Sequence, residues 1–269
     1  MEVKTEDRAP TGELVRLREF DSAGAAASDP RLPELRADAM RRLFPKSRVW
    51  RGRQEARIAQ RIHAHLSGVT SVHELRRRVR SIARYPLELV EELRLSDGRD
   101  VLVRPVLPSD APLQGAFVRS MSVATRRNRF HGGVVELPAA VLRYMTEVDY
   151  ADHVALVGET LDAAGPRQVA EARWVRRHDA SQRADFAIAV ADDCQRRGIG
   201  NVLLGMLERS AAERGIQRLC AHVLHTNRLM IGWLEARGWR LERDADDPGV
   251  VCAELPLRRR ETRQWREAA

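Results

Sequence analysis

Apolar residues recur at helical spacing in three short stretches near the start of the chain, between residues 32 and 95. In each stretch most of the apolar side chains lie three to five positions apart, which places them on one face of a helix. They are Leu35, Met40, Leu43 and Phe44; Ile58, Ile62 and Leu66; and Leu75, Val79 and Ile82. Ser71, three residues before Glu74, fits a capping box for the third helix. Residues 1–31 mix charged and small residues without such periodicity, so we expect a disordered start and a helical extension over 32–95.

From residue 96 onward, short strand-like stretches alternate with helical ones. Predicted strands cover 101–106, 154–160, 169–175, 184–191, 218–224, 239–244 and 249–255; predicted helices cover 109–121, 137–145, 200–214 and 228–237. Gly215 and Gly238 stand where the last two helices should end. This order predicts an α/β domain with a mixed sheet over 96–257, followed by a basic tail at 258–269.

The positive charge is concentrated in the helical extension. The chain carries a net +8, and residues 41–84 contain thirteen basic side chains against Glu55 and Glu74, so the rest of the chain is slightly acidic. Almost all the basic residues are arginines, which a GC-rich genome would also produce. We therefore favour a solvated helix face. A non-catalytic nucleic-acid-binding regulator stays a further alternative, although no aromatic-interleaved RNA motif or zinc finger supports it.

The cysteines and the hydropathy indicate the cellular compartment in which the protein is expected. The chain has three cysteines, Cys194, Cys220 and Cys252. An odd number without CxxC spacing argues against a disulfide framework and against a zinc site. No stretch has the roughly 18 consecutive apolar residues of a spanning helix, and the acidic start lacks a signal peptide's apolar core. We expect a cytoplasmic protein with reduced cysteines, no metal and no membrane partner.

The segment Gln195-Arg196-Arg197-Gly198-Ile199-Gly200 lies between a predicted strand and a predicted helix. Glycines allow a ligand close to the backbone, and the free amides at a helix start form a phosphate site. A dinucleotide fold would need glycine at Leu203, and the Gly-Lys-Ser/Thr of a nucleoside triphosphate loop is absent. The loop therefore predicts an anion site of another kind, with an ordinary glycine-rich turn as the alternative.

Here the chain resembles the GNAT superfamily of acyl-CoA N-acyltransferases, whose hallmark is Gln/Arg-x-x-Gly-x-Gly/Ala after a strand. Asn227, eleven residues before Gly238-Trp239, matches the second motif of that family. The resemblance covers about residues 97–256 and implies a mixed, mostly antiparallel sheet flanked by helices, with acetyl-CoA as co-substrate. The coenzyme-binding positions that it implies are Ala187, Ile188, Ala189, Gln195, Arg196, Arg197, Gly198, Ile199, Gly200 and Asn227.

Several stretches are similar to the bacterial protein lysine acetyltransferase (Pat) branch of that superfamily. They are Asp97-Gly98, Val103-Arg104-Pro105, Arg129-Phe130, Val148-Asp149-Tyr150 and Asn227-x-x-Met230. This resemblance implies a protein lysine as acceptor. Some members of the branch carry a cyclic-nucleotide domain, but the helical, glycine-poor extension does not resemble that β-roll, so we expect no cyclic nucleotide.

Asp185 is the candidate catalytic base. The Pat-like branch has a glutamate in Ala-Glu-Phe at this strand, and the chain has Ala184-Asp185-Phe186. Strand alternation places the carboxylate on the same face as Ala187 and Ala189, which leave room for a ligand. Aspartate is one methylene shorter, so proton transfer through a water is an option, and its pKa must rise to make it a useful base. A purely structural carboxylate at Asp185, and His225 as the base, are the alternatives.

Two further expectations concern the acyl group. Many members of the superfamily protonate the leaving thiolate with a tyrosine seven residues after the motif asparagine, where this chain has Leu234. The resemblance implies that a backbone amide between Ala187 and Ala189 polarises the acyl carbonyl. A covalent acyl-Cys194 is disfavoured because no base is spaced to activate it.

The sequence predicts the type of reaction more specifically than it predicts the acceptor of the acyl group. The Pat-like resemblance favours a protein lysine, whereas the acidic turn with Asp244, Asp246 and Asp247 leaves a small amine or polyamine as the alternative. The oligomeric state is not predicted.

Overall fold

The computed structural model describes residues 30–43, 53–67, 69, 71–82, 84–162 and 165–257. Its helices are α1 Leu32–Leu43, α2 Arg53–Ser67, α3 Val72–Ile82, α4 Ala111–Ser120, α5 Val123–Phe130, α6 Ala139–Thr146, α7 Ile199–Glu213 and α8 Arg228–Glu235. Its strands are β1 Glu91–Arg94, β2 Asp100–Pro105, β3 His153–Asp162, β4 Gly165–Arg177, β5 Ala180–Val190, β6 Arg218–Leu224, β7 Arg240–Arg243 and β8 Val250–Pro256.

The strands form one sheet in the order β1-β2-β3-β4-β5-β6-β8-β7. Every neighbouring pair is antiparallel except β5 and β6, which run parallel. The predicted mixed, mostly antiparallel sheet flanked by helices is thereby confirmed. Within the described residues, no helix combines the length and apolar character that crossing a bilayer requires.

The predicted elements agree with the structure to within a few residues, and two elements were missed. Sequence patterning did not predict β1 or α5, because β1 has only four residues and α5, with the sequence VATRRNRF, has almost no apolar face. The Ser71 hydroxyl accepts a hydrogen bond from the Glu74 amide at 3.2 Å, as predicted, while the Glu74 carboxylate pairs with Arg78 instead of closing the capping box. The start over 1–29 and the tail over 258–269 lie outside the described residues.

The two faces of the sheet carry two hydrophobic clusters. Alternate residues of β3 divide between them: Val154 and Leu156 belong to the cluster under α4 and α7, whereas Ala155 and Val157 belong to the cluster under α1, α2 and α3. This division follows from the two-residue period of a strand. The N-terminal helices therefore cover a face of the sheet that would otherwise expose apolar side chains to water.

Polar contacts also join the helical extension to the sheet. Arg61 of α2 donates to Glu159 of β3 at 2.6 Å, and Glu159 also accepts from the buried Arg104 at 2.8 Å. Arg104 in turn donates to both carboxylate oxygens of the buried Asp110, at 2.7 and 2.8 Å. One arginine of the basic extension is thus part of an internal ion-pair network. The boundary at residue 96 stays a prediction, although the sheet itself begins at Glu91.

Candidate functional site

The parallel strands β5 and β6 separate after three residue pairs. Their register ends with Asp185 opposite Cys220, although β5 continues to Val190 and β6 to Leu224. Beyond that point, β5 stays hydrogen-bonded to β4 only, as far as the pair of Ala170 with Val190. Backbone groups of β5 that point away from β4 therefore have no strand partner there, and buried backbone groups require one.

A cleft of about 650 Å³ lies beside this opening. Helices α5, α7 and α8, the end of β5 and the glycine-containing loop line its walls. The predicted coenzyme-binding residues that line it are Ile188, Ala189, Gln195, Arg196, Gly198, Ile199, Gly200 and Asn227. Ala187 lines a smaller neighbouring cavity with His222, and Arg197 lines neither. Sequence reasoning thus predicted most of one wall of the cleft.

The start of α7 presents free backbone amides to the cleft. Gly198, with φ of 93°, precedes the helix in a left-handed conformation that favours glycine, and no side chain caps the helix. The amides of Asn201 and Val202 bond to the Gly198 carbonyl at 3.0 and 3.3 Å. Those of Ile199 and Gly200 have no acceptor among the described residues. This arrangement, together with the helix dipole, is suited to an anion.

The side chains of the loop have mostly structural contacts. Gln195 donates to the Val190 carbonyl at 3.1 Å, which ties the loop to the end of β5. Arg197 turns away to Asp97, at 2.5 Å, and to the Asp193 carbonyl. Arg196 is exposed and lines the cleft, so it is the loop cation that a ligand could meet.

Helix α8 supplies the opposite wall of the cleft. Asn227 begins α8 by accepting a hydrogen bond from the Met230 amide at 3.2 Å, so the side chain of the motif asparagine has a structural contact. Trp233 donates from its ring nitrogen to Asn201 of α7 at 2.9 Å, and the Arg237 guanidinium lies 4.5 Å from the Trp233 ring centroid. Sequence reasoning missed Trp233 and Arg237, whose signal was a tryptophan and an arginine four residues apart in the predicted helix over 228–237.

Asp185 lies at the point where the two strands separate, outside the lining of either cavity. Its side chain is 52% exposed, and its nearest described ionic partner is Arg177 at 3.8 Å. Partial desolvation raises the pKa of Asp185, while Arg177 and His222 oppose the increase. The direction of the shift suits a general base, and the incomplete burial keeps the carboxylate accessible to an incoming group.

A buried ion-pair network supports the cleft from the side of β4. Glu171 accepts from Arg129 of α5 at 2.7 Å and from Arg173 at 2.7 Å, and Arg173 contacts His153 at 3.2 Å. Burial alone would raise the pKa of Glu171, but the two guanidinium groups lower it to about 2. Burial, with the charge of Arg173, lowers the pKa of His153 to about 3. Neither group is therefore suited to accept a proton near neutral pH.

Helix α5 contributes a wall that the sequence analysis did not predict. Ser122, which precedes the helix, and Thr125 both donate to Asp192, at 2.8 to 2.9 Å and 2.7 Å. Asp192 belongs to the turn that leads into the loop, so α5 and the loop are held together. Arg129 lines both cavities. A weak signal existed in the sequence, since serine is a residue type that commonly begins a helix, and Ser122 caps α5.

The alternative catalytic groups have other contacts. His225 is exposed, and its ring nitrogen Nδ1 lies 3.0 Å from the Gly249 carbonyl. Cys194 is buried, and burial and Asp193 raise its pKa, which disfavours the reactive thiolate. Leu234 is buried and lines the smaller cavity, so the position that holds a tyrosine in many superfamily members has an apolar side chain here.

Comparison with known proteins identifies the family. Residues 167–239 match the family model described as "Acetyltransferase (GNAT) family". The chain is 39% identical over 155 residues to Acetyltransferase Pat of Mycolicibacterium smegmatis, a match that covers 58% of this chain and 45% of that protein. It therefore spans less than half the length of that relative.

Two further matches cover nearly the whole of the similar protein. The chain is 31% identical over 163 residues to Acetyltransferase PA5475 of Pseudomonas aeruginosa, covering 61% of this chain and 87% of the relative. The crystal structure of the GNAT domain of S. lividans PAT is similar with a TM-score of 0.58 and 29% identity, covering 64% of this chain and 99% of that domain. The chain belongs to the GNAT family of acetyltransferases.

Proposed function

We propose that this acetyltransferase moves the acetyl group of acetyl-CoA directly to an amine, and that the acceptor is a protein lysine side chain. The observation that carries the proposal is the separation of β5 from β6. The opening begins at Asp185 and follows β5 for five residues to Val190, beside the free amides of α7. At the rise of an extended strand this is roughly 17 Å, which suits a long, narrow ligand with an anionic end.

Acetyltransferases of this family use acetyl-CoA. In our proposal its pyrophosphate lies at the amides of Ile199 and Gly200, with Arg196 beside it, because an anion is stabilised at the start of a helix. The extended arm of the coenzyme then follows the unpaired edge of β5 past Ala187 and Ala189. A backbone amide of this edge would polarise the acyl carbonyl as negative charge develops on its oxygen.

Asp185 is proposed to remove a proton from the attacking amine. A free lysine with a pKa near 10.4 loses its proton at pH 7 at a cost of about 4.6 kcal/mol, so a positioned base accelerates the reaction. The amine nitrogen forms a bond to the carbonyl carbon, the carbon–sulfur bond breaks, and the coenzyme leaves as the thiolate. The proton reaches Asp185 directly or through one water.

The choice of a protein lysine rests on the Pat-like residues of the sequence and on the openness of the site. Asp185 is half exposed, so a side chain carried on a large surface could reach it. The polyamine alternative depended on the acidic turn. There, Asp244 accepts from the amides of Asp246 and Asp247 at 2.9 and 3.0 Å, and Asp247 accepts from that of Gly249 at 2.8 Å. These carboxylates have a local structural role, which favours the lysine acceptor.

A panel of acceptors tests the proposal. The full chain is incubated with acetyl-CoA and with either a lysine-containing peptide blocked at its amino terminus or spermidine, while coenzyme release and the mass of each acceptor are followed. We expect acetylation at the lysine Nε and a kcat/KM at least tenfold higher for the peptide. Faster acetylation of spermidine would overturn the lysine assignment, and coenzyme release without an acetylated acceptor would overturn direct transfer to an amine.

A further inference from the structure

Three side chains of metal-ligating type meet on the β6–β8–β7 part of the sheet. The ligand atoms of His222, Asp244 and Cys252 all lie within 4.8 Å of one another. His222 and Cys252 are paired across β6 and β8, and Asp244 follows the last residue of β7. Because directly opposed residues of an antiparallel pair share a face, the backbone itself places the imidazole and the thiol side by side.

Two of the three groups are already oriented by hydrogen bonds. The Cys252 thiol donates to Oδ2 of Asp244 at 2.9 Å. The other oxygen of Asp244 accepts the two turn amides, which fixes the carboxylate. The His222 side chain is exposed, so its ring can turn toward an ion. The two amide contacts hold the Asp244 carboxylate in place, as outer hydrogen bonds do for a carboxylate that binds a metal ion.

The ligand set indicates the class of ion. One nitrogen, one oxygen and one sulfur suit Zn²⁺, which binds them in tetrahedral geometry at about 2.0 to 2.3 Å. Ligand atoms around such an ion are about 3.5 Å apart, so an exposed imidazole has to move by only about 1 Å. We propose that His222, Asp244 and Cys252 form a binding site for a zinc-class divalent ion, with the fourth position open to water.

The site differs from the kind that cysteine spacing predicts. A sequence search for zinc looks for two cysteines close together on one loop, whereas these ligands come from three segments that are adjacent only in the folded sheet. Cys220 lies on β6, where it is paired with Glu254 of β8 rather than with Cys252, and it lies outside the cluster. It therefore supplies a matched control.

The position of the site has a consequence that rests on the proposed function. His222 lies within electrostatic reach of Asp185 and lies two residues beyond Cys220, the β6 partner of Asp185. A bound dication would place positive charge where a cationic lysine has to arrive, and like charges repel. Zinc should therefore inhibit acetyl transfer through the acceptor rather than through acetyl-CoA.

Cobalt(II) is the probe that tests the site without any turnover. It is titrated into the full chain with the thiols kept reduced, while the absorption spectrum is recorded. We expect the intense visible bands of tetrahedral cobalt and a near-ultraviolet thiolate-to-cobalt band in the parent chain and in Cys220→Ala. Cys252→Ser should lose the thiolate band, and His222→Gln should weaken cobalt binding at least tenfold. The site would be overturned if the parent chain gave only the spectrum of octahedral, aqueous cobalt, or if the thiolate band persisted in Cys252→Ser.

The inhibitory consequence is measured separately. Zinc should raise the KM for the lysine peptide in the parent chain, and at least tenfold more zinc should be required in Cys252→Ser. Equal inhibition of both proteins would contradict the electrostatic account and leave the cobalt result standing. A cobalt spectrum in a chain that acetylates no amine would support the metal site and overturn the proposed function.

Discussion

Asp185 of β5 and Cys220 of β6 form the last residue pair of the parallel ladder in the sheet. The candidate base is therefore placed where two strands part and where backbone hydrogen-bonding groups become available to a ligand. A carboxylate in the middle of a continuous ladder would have lain beside filled backbone positions. The separation of the strands thus joins the proposed proton acceptor to the proposed path of the coenzyme.

Gly200→Asp should abolish acetyl-CoA binding without unfolding the chain. A Cβ at Gly200 would lie 3.6 Å from Trp233 and 3.8 Å from Ile188, which are ordinary contacts, while the added carboxylate would bring negative charge to the anion position. We expect at least a hundredfold loss of affinity by calorimetry, with an unchanged circular dichroism spectrum.

Gly205→Asp is the matched control for that variant, because it adds the same charge to α7 at a position where a Cβ would approach only Arg209, at 3.9 Å. It should bind acetyl-CoA as the parent chain does. Unchanged affinity in a folded Gly200→Asp, or equal losses in both variants, would remove the assignment of the α7 amides to the pyrophosphate.

Glu171→Gln should destabilise the fold, by roughly 3 kcal/mol, because it removes the negative charge that pairs with the buried Arg173 and the partly buried Arg129. The pKa of Glu171 in the folded chain, about 2, is below its ordinary value of 4.5. The carboxylate therefore stabilises the fold above about pH 4.5, and this contribution disappears as the pH falls toward 2.

Urea unfolding at pH 6 and pH 3 measures this effect. The difference in unfolding free energy between the parent chain and Glu171→Gln should be large at pH 6 and smaller at pH 3. A difference that stays constant across this range would show that the carboxylate charge does not stabilise the network.

Ile62→Ala should lower the stability of the whole chain, since Ile62 of α2 is buried in the cluster that also contains Ala155 and Val157 of the sheet. Truncation of a buried isoleucine costs about 2 to 5 kcal/mol. The exposed neighbour Gln60 provides the control, and Gln60→Ala should change stability by less than about 0.5 kcal/mol.

Scanning calorimetry decides whether the extension and the sheet unfold together. One transition that shifts as a unit in Ile62→Ala would show a single cooperative structure. Two transitions, of which only one moves, would show that the boundary expected at residue 96 separates independent domains.

The strong periodic patterns were sufficient to predict most of the fold. The apolar patterns located β2 to β8, and the stops at Gly215 and Gly238 are confirmed by their φ angles of 80° and 78°. These elements were predictable because each buries one face against the same core. Helix α5 was not, because its residues are polar and its position depends on contacts of Ser122 and Thr125 with Asp192, seventy and sixty-seven residues away in sequence.

The candidate site was predictable where a local motif determines the backbone, as at Gly198 and Gly200. It was not predictable where distant segments meet. The contact of Arg129 with Glu171 joins α5 to β4, and the cluster of His222, Asp244 and Cys252 joins three segments, so neither has a fixed spacing in the sequence. The exposure of Asp185 is likewise a property of the strand separation rather than of its neighbours in sequence.

The pH dependence of turnover in Asp185→Asn shows whether Asp185 accepts the proton of the amine. At pH 7 the amide cannot accept a proton, so turnover should fall by about 10² to 10⁴ while the Kd for acetyl-CoA is unchanged. Asp185→Glu should retain substantial activity, and His225→Ala should stay close to the parent chain. The difference in turnover between Asp185→Asn and the parent chain should become smaller as the pH approaches the pKa of the amine, near 10, because the acceptor then loses its proton without a base. Parental turnover in Asp185→Asn at pH 7, or the same deficit at every pH, would contradict the assignment of Asp185 as the base.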